Sequence, residues 1–210
     1  MEFYESEFGM SDAQKNRKSR AQIRHQQRKS SLVEAVEAEL DQTGLEGATL
    51  ERVGQRVGLS KGALYYYIDS RDDLLTLLLE DVLQQQREKG ERLAGASATP
   101  LQQLRSFAHG HVSVIVNRPA GRLIVSHLEM LASHQKSTEL LQKQDDYIRV
   151  IIKHAVNTGE LREIAPVIAS AVLFGALNTV PRTFDPNGRL SLEEVVDALL
   201  DLLFQGWKPG

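Results

Sequence analysis

The chain has 210 residues, 25 Lys plus Arg against 28 Asp plus Glu, and no cysteine. That length allows one large domain or a small domain fused to a medium one, and the missing thiols exclude a disulfide framework, a thiol nucleophile, thiolate zinc and iron–sulfur clusters. A hydrophobic content of 41% with 6% aromatics and 6 Pro favours a soluble helical protein over a turn-rich all-β one.

The longest nearly uncharged apolar stretch, Val167 to Val180, is shorter than the ~20 residues a membrane-spanning helix needs. Glu2, Glu5 and Glu7 stand where a secretory leader would carry positive charge. The expectation is a cytoplasmic chain with no membrane partner. Charge is unevenly distributed along it. Lys15, Arg17, Lys18, Arg20, Arg24, Arg28 and Lys29 fall in a segment without a single acid, whereas residues 32–75 hold four bases against nine acids. Such a basic run is either a solvated, disordered arm or a contact for a polyanion. The elements that follow it decide between the two.

Helical periodicity begins near residue 24. Leu32, Val36 and Leu40, widened by Val33, form a first apolar stripe that ends at Gly44. Thr49 is an N-cap for a short second helix with Leu50, Val53 and Val57 inward, stopped by Gly58. Ser60 caps a third from Lys61 to about Ile68, with Leu64 and Ile68 on one face. Ser70 then caps a fourth, with Asp72 and Asp73 in its first turn, running to about Arg92. Five more helices are read at about 100–116, 119–132, 137–158, 166–182 and 191–205. No segment alternates with period two, so the fold class is all-α with about nine helices and no internal repeat.

Two short helices joined by Gly58-Leu59-Ser60 and preceded by a longer one have the outline of a helix-turn-helix. The third helix opens with a capping hydroxyl, a cation and two small residues, Ser60-Lys61-Gly62-Ala63, which lets its backbone approach base edges. With Leu64 and Ile68 inward, Tyr65, Tyr66 and Tyr67 cannot all be buried, and outward phenols can donate to phosphates. Tyr67, nearest the buried face, packs inside equally well. Arg71 can reach the nucleic-acid backbone, or pair with a neighbouring aspartate.

The stretch from Thr49 to Leu75, TLERVGQRVGLSKGALYYYIDSRDDLL, resembles the signature of the tetracycline-repressor-type (TetR) transcriptional regulators. It departs from that signature at Ala63, where Thr or Ser is frequent, at Ile68, where Phe is usual, and at Arg71, where Lys is usual. The composition of 1–23 reads as a basic, disordered arm, and the resemblance implies a DNA-binding domain over 24–72 and an effector-binding and dimerisation domain over 73–210. It implies that Lys61, Gly62 and Ala63 face base edges of a double-stranded operator. Thr49, Ser60, Tyr65, Tyr66, Tyr67 and Arg71 would hold phosphates, joined by Arg28 and Lys29 of the basic segment. Glu34, Glu37, Glu39 and Asp41 must then face away from DNA.

The second half divides between interface and pocket. Val167, Ala171 and Phe174 mix small and large residues suited to close packing. Leu192, Val196, Leu199 and Leu203 belong to an over-wide apolar face, so a homodimer interface over 166–205 is expected. The resemblance further implies a small-molecule effector pocket, for which Arg122, His127, Met130, Tyr147, Phe174, Asn178 and Arg182 are candidates. The segment from Gly175 to Ser191 is similar to that of members sensing acyl-CoA or related lipid and aromatic acids. The resemblance thus implies a dimeric, effector-released repressor of a palindromic operator that needs no cofactor. No phosphate loop, G-x-S-x-G elbow, H-E-x-x-H or tight histidine pair is present, so no catalytic or metal residue is assigned. The competing class is a helical protein–protein adaptor whose exposed tyrosines form the interface.

Overall fold

The computed structural model describes residues 12–65, 68 and 70–207, and of 12–26, 45, 46, 71 and 207 the backbone alone. Those residues form eleven helical segments and no strand: α1 Asp12–Gly47, α2 Leu50–Arg56, α3 Lys61–Tyr65, α4 Arg71–Ala94, α5 Pro100–Asn117, α6 Pro119–Ser126, α7 Leu128–Leu131, α8 Gln135–Asn157, α9 Pro166–Leu177, α10 Val180–Thr183 and α11 Leu192–Trp207. The chain separates into two compact units, one ending at Tyr67 and one beginning at Ile68.

In the first unit the apolar stripe of α1 does what its spacing requires. Leu32, Val33, Val36 and Leu40 are buried together with Ala48, Val53 and Leu64. Helical geometry in α1 breaks at Gly44, whose φ of 67° is open to glycine at little cost. Thr49 Oγ1 accepts from Arg52 N at 3.3 Å to start α2, and Ser60 Oγ accepts from Ala63 N at 3.3 Å to start α3. Two expectations need correction. Residues 12–23, read as disordered, are helical and continue α1, because Ala, Arg, Lys and Gln are good helix formers uninterrupted by Gly or Pro. And Ile68, read as the end of the third helix, lies outside any helix yet is 1% exposed, while α3 is described over Lys61–Tyr65.

In the second unit α4 and α5 make the most extensive helix pair. Their backbones touch at glycines: a β-carbon at Gly110 would lie 2.7 Å from Gly90 N, and one at Gly90 would lie 2.9 Å from Phe107 Cα. The first turn of α4 is tied to the start of α8 by Lys136 Nζ donating to Asp73 Oδ1 at 2.9 Å and by the Thr76–Ser137 hydroxyl pair at 2.9 Å. Around this frame α5, α8, α9 and α11 close a core that includes Phe107, Ile148, Ile152, Leu173, Leu200 and Phe204.

Two of the expected helices are interrupted. The 119–132 segment is interrupted at His127, whose ring Nδ1–H (2.9 Å) and backbone N–H (3.1 Å) both donate to Leu123 O. The 166–182 segment stops at Leu177, because Pro181 has no N–H to return to that residue's carbonyl.

Candidate nucleic-acid interface and effector chamber

The opening of α3 is an outward surface. Ser60, Lys61 and Gly62 are exposed, Ala63 is half-buried and Leu64 points inward at 2% exposure. A β-carbon at Gly62 would meet nothing within 4 Å. Tyr65 is 40% exposed, with Lys61 Nζ 5.7 Å from its ring centroid, so cation and phenol stand side by side. Thr49 is exposed, and like Ser60 it spends its oxygen as a cap acceptor while its O–H stays available to donate. Arg28 is exposed and Lys29 half-buried. Tyr66, Tyr67 and the side chain of Arg71 lie outside the described residues.

What sequence reasoning missed in this unit is an acid turned inward. Glu39 is only 4% exposed, and both Arg52 Nε (2.7 Å) and Arg56 Nε and Nη2 (3.0 and 2.7 Å) donate to its carboxylate. Hydrogen bonds from Arg56 and then Arg52 hold this carboxyl below its ordinary range against the cost of burial. The pair thereby clamps α2 onto α1. A signal existed: Glu39 sits within the Leu32–Val36–Leu40 stripe, and Arg52 and Arg56 are one helical turn apart. Glu34 and Asp41 are exposed and Glu37 half-buried.

In the second unit an inner chamber of about 200 Å³ lies among α4, α5, α6, α8 and α9. Leu79, Leu83, Ile115 and Leu141 supply apolar wall, and Gln86, His111, Gln144 and Asn178 supply polar wall. The imidazole of His111 is packed between Phe107 (centroids 5.7 Å) and Phe174 (5.6 Å). Its Nε2–H donates to Asn178 Oδ1 at 3.0 Å, while Nδ1 has no partner among the described residues. Burial pushes its pKa down to about 4 despite the Asn178 bond, so the ring is neutral at pH 7. An outer cleft of about 710 Å³ shares Val125, Leu128 and Asn178 with the chamber and is lined by Arg122, His127, Met130 and Arg182.

Six of the seven expected effector residues therefore line one of two adjoining spaces: Phe174 the chamber, Asn178 both, and Arg122, His127, Met130 and Arg182 the cleft. Tyr147 lines neither. It packs on Phe107 at 6.3 Å with Arg87 5.1 Å over its ring, because its place on α8 faces the apolar core. Of the chamber's own polar residues, Gln86 and Gln144 escaped notice, since buried polar side chains on long amphipathic helices look like surface in a linear sequence. Among the described residues no group of His, Asp and Glu is arranged to hold a metal ion, and no helix is long and apolar enough to cross a membrane.

The expected interface residues divide as well. Val167 and Ala171 face outward on α9. Val196 is 1% exposed and belongs to the core of its own chain, while Phe174, Leu192, Leu199 and Leu203 pack partly against that core. The outer surface is shared by Ile168, Val172 and, on α11, Leu202, at 59%, 44% and 77% exposure.

These features can be set beside known proteins. The family model described as "Bacterial regulatory proteins, tetR family" matches residues 32–78, and that described as "Tetracyclin repressor-like, C-terminal domain" matches residues 97–207. The fatty acid metabolism regulator protein of Bacillus subtilis (strain 168) is 23% identical over 181 residues, spanning 83% of this chain and 93% of its own. The regulator FadR from Bacillus subtilis, solved with stearoyl-CoA, superposes with a TM-score of 0.70 at 22% identity over 84% of this chain and 98% of that one. AibR, solved with isovaleryl coenzyme A and operator DNA, gives a TM-score of 0.66 at 19% identity over 84% and 98%. Two such structures at that identity share the fold. With both of its units matched in chain order, the protein belongs to the TetR family of bacterial regulatory proteins.

Proposed function

We propose that this regulator is a dimeric, effector-released repressor of a palindromic operator, with the second unit housing the effector. The observation that carries the DNA half is the start of α3, where Lys61, Gly62 and Tyr65 are presented outward with open space above Gly62. In this reading Lys61, Gly62 and Ala63 meet base edges, and Thr49, Ser60, Tyr65, Tyr66, Tyr67, Arg71, Arg28 and Lys29 meet the backbone. Residues up to about 72 then form the DNA-binding part and the remainder the effector and dimerisation part.

An amphipathic anion suits the effector half. The chamber is largely apolar, while the cleft beside it carries two guanidinium groups. Arg122 Nη1 donates to Val116 O at 2.6 Å. Among the described residues neither Arg122 nor Arg182 is paired with an acid, so both can receive an anionic head. An acyl-CoA or a related lipid or aromatic acid has that form. Leu79, Leu83 and Gln86 of the chamber lie on α4, the helix that follows the DNA-facing elements in the chain. A ligand that favours one setting of α4 thereby changes operator affinity.

The test is a mobility-shift and footprinting assay on the DNA upstream of the gene for this chain, titrated with acyl-CoAs of graded length. A palindromic footprint released by one length range is the expected result. No specific shift at low salt would remove the DNA reading, and a shift that no acyl-CoA relieves would remove the effector class.

A further inference from the structure

The geometry points to an effector whose apolar body carries a hydrogen-bond donor, a hydroxyl or an N–H, received in the inner chamber by His111 Nδ1 and Gln144 Oε1. This inference rests on the reading of the chamber as the effector site.

The polar wall is unbalanced in one direction. His111 is 4% exposed; Phe107 and Phe174 flank its ring, Nε2 is committed to Asn178, and Nδ1 is left without a partner. Gln144 is 2% exposed; its Nε2 donates to Gln86 Oε1 at 3.3 Å, and Oε1 is left without a partner. Both unpaired atoms are acceptors. Because the imidazole is neutral at pH 7, Nδ1 offers a lone pair and no proton. A ligand carrying a hydroxyl or N–H satisfies an acceptor that otherwise stays buried and unpaired, whereas a ketone, an ether or a plain alkyl body leaves both as they are.

Charge points the same way. Among the described residues the chamber is lined by one acidic side chain, Asp145, paired with Arg149, and by no Lys or Arg. A carboxylate would have no counter-ion inside; its place is the outer cleft with Arg122 and Arg182. The effector is therefore sorted into an outer anionic part and an inner, uncharged, donor-bearing part.

Phenol and toluene, near-isosteres that differ by one O–H, serve as probes, since apolar cavities of roughly 150 Å³ hold a benzene ring. Their dissociation constants would be measured on the full chain and on two volume-conserving variants, His111→Phe and Gln144→Met. Because one O–H donates to one acceptor at a time, the preference for phenol over toluene is expected to fall about tenfold in His111→Phe, as when a buried acceptor is lost, and by less in Gln144→Met. The ¹⁵N resonance of His111 Nδ1 in the unaltered protein is expected to shift on adding phenol and not on adding toluene. A preference unchanged within about twofold in both variants, an unmoved Nδ1 resonance, or no binding of either probe would overturn the inference, the two acceptors then serving a buried water only. Operator release by a coenzyme A thioester is scored separately on the same protein. Release with an unchanged phenol preference overturns the donor inference alone, and a lost preference without release by any thioester overturns the chamber's effector role.

Discussion

A methyl group placed on Gly62 would touch nothing in the protein, so Gly62→Ala separates folding from DNA reading. Within α3 the added Cβ improves helix propensity by up to about 1 kcal/mol, and the melting temperature should hold or rise. If the backbone there lies against base edges, the same methyl costs about 1–3 kcal/mol of overpacking, and operator affinity should fall about tenfold, read by titration of labelled operator DNA. Full affinity in a well-folded variant would show that the turn at position 62 faces solvent in the complex. His111 supports a second prediction, about pH. Its folded pKa of about 4 lies below the ordinary 6.5, so the unfolded chain binds the extra proton between those values. Stability is then complete above pH 6.5 and declines as pH falls toward 4. Urea unfolding should show roughly 2 kcal/mol lost between pH 7 and pH 5, and His111→Phe should flatten that slope. Glu39 runs in a lower window: its depressed carboxyl stabilises above 4.5 and loses this only further into acid. At this scale the sequence was a partial guide. Leu64 and Ile68 announce their burial through spacing, but Glu39 and His111 are polar letters whose inward placement depends on partners 13 and 67 residues away.

Helix contacts make their own demands. The approach of α4 to α5 leaves no room for a side chain at position 110, where a β-carbon would sit 2.7 Å from Gly90 N and 2.9 Å from Gln86 O. Gly110→Ala must push backbone against backbone, and about 1–3 kcal/mol of destabilisation is expected, less a gain of at most about 1 kcal/mol in helix propensity. A melting temperature equal to that of the unaltered chain would mean that the two helices separate easily there. Gln86 carries one end of the chamber's amide pair, so this variant should also alter effector affinity. The boundaries of the helices were readable where caps and glycines mark them, as at Thr49, Ser70 and Gly44. They were not readable at His127, where the helix breaks with no proline or glycine beside it to mark the place. The start of α1 was misjudged because a run of like charge reads as disorder, although its residue types favour helix. Removing residues 1–23 takes away Lys15, Arg17, Lys18 and Arg20. If these neutralise phosphates, the slope of log affinity against log salt should flatten by roughly 3–4; an unchanged slope would show the segment idle.

For the whole molecule the decisive feature is that α9 has no polar side. Its one hydroxyl, Ser170, is buried, with Arg149 Nε donating to it at 3.4 Å. Leu173 and Leu177 fill the core, while Val167, Ile168 and Val172 stand exposed with Leu202 of α11. A helix apolar all round belongs between two partners, and a single protomer supplies one of them. A second copy bringing the same surface gives a twofold arrangement in which both partners gain equally. It also presents two α3 helices to two half-sites, which one short reading helix needs for specificity. Ile168→Asp tests this, because position 168 is 59% exposed and a carboxylate there costs the protomer's own fold little. Across a dimer interface the same carboxylate would be buried without a partner. Light scattering at micromolar concentration should show the unaltered chain as a dimer and the variant as a monomer with an unchanged melting profile of its core. Operator affinity should then fall about 100-fold as the second half-site is lost. A variant that stays dimeric would move the interface away from α9, and an unaltered chain found solitary would leave the α3 surface to act alone.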